Sequence, residues 1–184
     1  MTFRVAGIFE LERKFTALAK ATARGEARAV GRVGTTIIAA QSRAVVRRLN
    51  LTVGRVKESV RVASKPTPDS PRIVIEVRRR AIGLIQFGGR WRGVKSSGAT
   101  AQVFRGEGRH TYAGTFIAKG RGGNLQIFDR QRKTRLPIKP LYGPSVLSQF
   151  NREDVQRVGR DTWLARLPIE LERETAFALR QAGL

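Results

Sequence analysis

The sequence predicts an α+β fold: a long N-terminal helix and a C-terminal helix packed on a central antiparallel β-sheet with long Gly/Arg-rich loops. Three observations carry this. Apolar residues recur at helical spacing from Phe9 to about Leu49. From Arg72 the period becomes two, in short runs divided by glycine-rich turns. After Ser145 the helical spacing returns. Elements grouped as helix, sheet, helix rather than alternating define α+β. A chain of 184 residues is predicted as one domain, with a helical part over 1–64, sheet over 72–130, an extended segment over 136–144 and helices over 145–182.

In the first helix, Leu11, Phe15 and Leu18 begin a stripe that Val30, Val33, Ile37, Ala40 or Gln41, and Ala44 continue. Arg13, Lys14, Arg28, Arg32, Arg43 and Arg47 fall mostly off it. Gly25, Gly31 and Gly34 each weaken a helix by about 1 kcal/mol relative to alanine, so a break is expected near Gly25 if anywhere. Unbroken, the helix spans about 60 Å at 1.5 Å per residue, long enough to need a neighbouring subunit over part of its stripe. Thr52 is placed to cap a short helix reaching about Val60. The proline-rich Lys65–Pro71 then excludes both helix and central strand.

Ile73, Ile75 and Val77 alternate with Val74, Glu76 and Arg78, a strand pattern. Ala81–Phe87, Ala101–Phe104, Thr111–Ala118 and Leu125–Phe128 read as further strands, and Gly88–Gly98 as a long loop holding Trp91. Three prolines in Leu136–Pro144 keep that segment extended. Ser145 caps a helix starting at Val146, Asn151 interrupts it, and a last helix runs from about Glu153 to Gln181. Pro168, inside that pattern, removes a backbone donor and is expected to kink the helix or start a new one.

Thirty-six Lys and Arg against 14 Asp and Glu leave a net charge of +22. Residues 1–64 contribute +9, residues 65–140 contribute +13, and residues 141–184 sum to zero. A basic body beside a neutral C-terminal quarter predicts two kinds of surface, one for a polyanion and one for protein. No run approaches the ~18 apolar residues of a spanning helix, so the chain is expected to be soluble and to meet no membrane. The absence of cysteine excludes disulfides, thiolate catalysis and Cys-based zinc sites.

No cofactor or small-molecule substrate is expected, and the chain is read as a non-enzyme. His110 is the single imidazole, set in turn-like sequence, and reads as a strand-edge surface residue. Glu76, Glu107 and Asp129 are the acids between Pro71 and Leu141, and their spacing fits no metal motif. Gly120–Gly123 lacks both the lysine and the following helix of a phosphate-binding loop and reads as a hairpin or a disordered loop. The sharper candidates are basic: Arg78, Arg79 and Arg80; Lys119 and Arg121; and Arg130, Arg132, Lys133 and Arg135. Phosphate contact needs charge and reach but no base-reading motif, so binding through them would be sequence-independent. A solvated cationic face, or one meeting an acidic protein, is the competing reading.

Taken in order, these stretches resemble the phage minor tail protein Z family, the tail-completion proteins of lambda-like long-tailed phages. The likeness runs through "AVGRVGTTIIAAQSRAVVRRLNL", "VGRVKESVRVA", "RIVIEV", "YAGTFIAKG", "RLPIKPLYGPSV" and "RLPIELERETAFAL", over about residues 28–180. It implies a structural virion protein at the head-proximal end of the tail, joining tail to head, assembled in the host cytoplasm and meeting tail terminator, tail tube, head–tail connector and phage double-stranded DNA. It also implies a ring of this chain, expected to be a hexamer. Six copies would carry a formal charge of about +130 around the DNA. Leu141, Tyr142, Phe150 and Trp163 would then be protein-interface residues. The alternative is a sequence-independent nucleic-acid-binding protein outside any virion; a nuclease is disfavoured by the scarcity of acids.

Overall fold

The structure, a computed structural model, describes residues 8–120, 122–132, 134 and 136–181. Helix α1 (Ile8–Arg48) is followed by the short α2 (Val53–Lys57). The strands are β1 (Val60–Ser64), β2 (Val74–Val77), β3 (Ala81–Gly83), β4 (Gly98–Ala101), β5 (His110–Ala113), β6 (Thr115–Lys119), β7 (Leu125–Arg130), β8 (Ile138–Pro140) and β9 (Tyr142–Ser145). Helices α3 (Val146–Phe150) and α4 (Glu153–Gln181) close the chain. The α+β class read from the sequence is the one observed.

The strands are divided among small sheets: β1–β2, β3–β9, β4–β5 and the three-stranded β6–β7–β8. Strands of three to six residues with breaks between them account for this. Thr111–Ala118, expected as one strand, is split at Gly114, whose φ of +72° turns the backbone between β5 and β6. Ala81–Phe87 leaves strand geometry after Gly83 for a 3-10 turn at Leu84–Gln86. Strand β1 lies where the sequence predicted the end of a helix and the start of a linker. Its Val60 and Val62 alternate with Arg61 and Ala63, and only Val60 is partly buried, so it carries little hydrophobic signal.

Both caps are in place. Thr52 accepts a hydrogen bond from Arg55 N–H at 3.3 Å, and Ser145 accepts one from Ser148 N–H at 3.2 Å. Asn151 terminates α3 as expected. Helix α4 continues through Pro168 without starting a new helix. The proline deprives the Leu164 carbonyl of its partner, but both residues are exposed, so water can take the donor's place.

The chain divides into two compact units. The first comprises residues 1–40, 62–76 and 158–184. In it, Ala27, Ala29, Val30 and Val33 of α1 and Ala178 of α4 are buried. Gly25 does not break α1. It lets α4 approach, because a Cβ there would stand 3.2 Å from the Glu174 Cβ. The Glu174 carboxylate is itself buried, with 5% of its side chain exposed. Arg28 grips one of its oxygens through Nε and Nη2, each at 2.8 Å, and Arg32 holds the other. The Arg28 guanidinium also lies over the Phe177 ring, 5.7 Å from its centroid. A buried carboxylate is tolerable only with such donors. Both arginines are nearly half exposed, so solvent screens the pairing and an orphaned arginine can hydrate. Glu174→Ala should therefore cost about 1–3 kcal/mol, read by urea unfolding at Trp163 in the same unit. An unchanged midpoint would show that the carboxylate does not hold the helices.

The second unit comprises residues 41–61 and 77–157. Its core joins Val45 and Leu49 of α1, Val56 of α2, Ile82, Leu84 and Phe87 around the 3-10 turn, Ala99 and Ala101 of β4, Ile127 of β7, Val146 and Phe150 of α3, and Val155 of α4. Some arginines serve this unit internally. Arg105 donates to the Leu49 and Leu51 carbonyls at 3.3 and 3.4 Å, and Arg48 lies over the Phe104 ring at 5.2 Å.

Candidate functional site

The basic candidates do not form one cluster. Arg78, Arg79 and Arg80 are exposed on the link between β2 and β3, anchored by the Arg78 N–H to the Ser59 carbonyl at 2.8 Å. Lys119 ends β6 beside the hairpin, opposite Leu125. Arg130 ends β7, opposite Ile138 of β8. Lys119 and Arg130 thus mark opposite ends of one sheet, about 17 Å apart along β7 at 3.4 Å per residue. The Arg130 guanidinium sits 4.9 Å from the Phe116 ring centroid, which in turn stacks on Phe128 at 6.0 Å. Arg132 is exposed in the following bend. Arg121, Lys133 and Arg135 lie outside the described residues. Gly120, Gly122 and Gly123 belong to the turn of the β6–β7 hairpin, closed by Gly120 N–H to the Asn124 carbonyl at 2.9 Å.

Of the four interface candidates, Tyr142 is exposed at 55%. Phe150 is buried in the core of its own unit, at 3% exposure, so its apolar surface is already consumed within the chain. Leu141 packs partly against that same core, and Trp163 is partly buried on α4. Leu11 and Phe15 of α1 and Leu164, Ile169 and Phe177 of α4 are the larger exposed apolar side chains of the first unit. His110 stands exposed at the start of β5, its ring edge-on to Tyr112 at 4.9 Å. Among the described residues no group of three His, Asp or Glu side chains is placed to hold a metal ion.

The second unit also contains an open cleft of about 910 Å³ that no single sequence run announces. Arg90, Arg92, Lys95 and Arg109 line it with Trp91, and its lining includes no carboxylate. Reciprocal backbone hydrogen bonds between Arg90 and Thr100, at 2.8 and 2.7 Å, close the base of the 90–100 loop. Thr100 in turn pairs with Thr111, which brings Arg109 to the same opening. Inside the loop, Gly93 at φ +93° and the Ser96 N–H to Gly93 carbonyl bond shape the turn that carries Arg92 and Lys95. The Arg109 guanidinium donates to the Gly88 carbonyl at 2.7 Å, which fixes the cleft wall. The Trp91 ring leans on Phe116 with centroids 6.5 Å apart.

The class of protein is a structural component of phage tails. The chain belongs to the prophage minor tail protein Z (GPZ) family, which matches residues 8–182, nearly its whole length. No curated protein and no solved structure matches it. A minor tail protein resides in the virion tail and associates with other tail components.

Proposed function

We propose that this chain completes the head-proximal end of the tail as a closed ring, six copies around the lumen, with its exposed arginines against the DNA end and its neighbours the tail terminator, tail tube and head–tail connector. The role is architectural, with no catalytic step and no cofactor. The carrying observation is the charge: +22 in a tail protein, with Arg78, Arg79, Arg80 and Arg132 exposed and in no ion pair among the described residues. Cations left without protein partners are available to phosphates, and attraction to a backbone needs no base reading. The exposed apolar side chains of α1 and α4, with Tyr142, supply surface for neighbouring subunits.

Light scattering on the size-exclusion peak tests the ring: a mass of six chains is expected, and a monomer at every concentration, alone and on tails, would overturn it. Replacing Arg130, Arg132, Lys133 and Arg135 together by glutamine tests the DNA contact. The variant should still fold, with a cooperative thermal transition like the parent's, while joined particles release their DNA end more readily. Normal DNA retention would remove this segment from the lumen.

A further inference from the structure

We infer that the cleft around Trp91 is a seat for an unpaired nucleic-acid strand, with Arg90, Arg92 and Lys95 holding consecutive phosphates and Trp91 flanking a base or sugar. The inference deepens the reading that this chain meets nucleic acid and rests on it, but it assigns the contact to residues outside the arginine runs. Four cations face one concavity with no carboxylate in its lining. Such an arrangement repels itself unless an anion or solvent neutralises it. Arg109 is committed to the Gly88 carbonyl, whereas no protein hydrogen bond or ion pair engages the Arg92 or Lys95 side chains among the described residues.

The shape selects the form of the polyanion. A duplex is convex and keeps its bases stacked inside, so it touches only the rim of a concave site. A single strand can enter with both backbone and bases. A basic groove with an aromatic side chain on its wall is the arrangement that holds single strands, with stacking adding about 1–3 kcal/mol per base. Trp91 lines the cleft together with Ile85, Ile117 and Leu125, so a base entering there meets apolar surface beside the charges. An acidic peptide would use the cations but gain nothing comparable from the indole.

The test uses the full chain carrying Trp163→Phe, which leaves Trp91 as its one indole. Its fluorescence is titrated with a thymidine dodecamer, with a hairpin duplex of equal phosphate count, and with polyglutamate of equal charge. The expected result is quenching by the single strand at lower concentration than by the duplex, with little effect of polyglutamate. Arg90→Gln, Arg92→Gln and Lys95→Gln combined should weaken single-strand binding about ten- to a hundredfold and reduce the slope of log affinity against log salt by about 2. The corresponding lysine replacements at Arg90 and Arg92 keep charge and should retain most of the binding, which separates lost charge from lost folding. If the triple variant binds as the parent does, and binding is lost instead on Arg78→Gln, Arg79→Gln and Arg80→Gln, the cleft assignment fails while the nucleic-acid reading stands. Equal or tighter binding of the duplex overturns the single-strand assignment. Stronger quenching by polyglutamate overturns the nucleic-acid ligand in favour of an acidic protein. Binding of neither DNA form overturns both readings.

Discussion

Replacing Phe87 by alanine is expected to destabilise the second unit by about 3–5 kcal/mol, the range for removing a fully enclosed aromatic side chain. Phe87 has no exposed surface and is the largest side chain so enclosed. It follows the 3-10 turn at Leu84–Gln86, and its carbonyl accepts from the Gln102 N–H at 3.1 Å, so its backbone is tied to the segment after β4. The ring cannot leave without opening a cavity bounded by a backbone that is held in place. Partial collapse would recover some packing, which is why a range is expected. Urea unfolding followed at Trp91 in the Trp163→Phe background reads this unit directly. A loss below about 1 kcal/mol would mean that the ring is not the centre of this core.

Gly98→Ala should be as damaging for a different reason. An added Cβ would lie 1.9 Å from the Tyr112 carbonyl oxygen, across the β4–β5 pair in which Gly98 faces Ala113. The obstacle is backbone, so no rotamer change relieves it, and the two strands must separate. Overpacking of this kind costs about 1–3 kcal/mol, and lost ladder hydrogen bonds add to it. Because β4 also forms one side of the Trp91 cleft, oligonucleotide affinity should fall together with stability. Gly106→Ala is the matched control: nothing lies within 4 Å of its added Cβ, and its effect should stay within about 0.5 kcal/mol. Equal melting temperatures for the two variants would contradict the close approach at Gly98.

The helices were legible because their signals are local. The stripe through Val30, Val33, Gln41 and Ala44 lies on the buried or half-buried side of α1, and the hydroxyls of Thr52 and Ser145 occupy the caps their positions suggested. Most strands were legible but their pairings were not, and the strand expected at Ala101–Phe104 lies earlier, at Gly98–Ala101. Strand β3 pairs with β9, some sixty residues along the chain, and nothing in Ala81–Gly83 names Tyr142–Ser145 as its partner. Strand β1 was missed because an almost fully exposed strand shows no one-sided hydrophobic pattern. The same distinction governs the candidate sites. Adjacent arginines are easy to see, but Lys119 and Arg130 point to different ends of a sheet, and Phe150 belongs to the core. The Trp91 cleft draws on residues from Ile85 to Leu125 that meet only through the Arg90–Thr100 and Thr100–Thr111 pairings, so no run of sequence could announce it.

The proposed tail subunit turns cations toward DNA and apolar helix surface toward copies of itself. An image of the completed tail end at side-chain resolution tests this most directly. The expected result is a closed ring of six chains with Arg78, Arg79, Arg80, Arg130 and Arg132 facing the central channel. Isolated subunits on the outside of the tail, with those arginines directed to solvent, would contradict it.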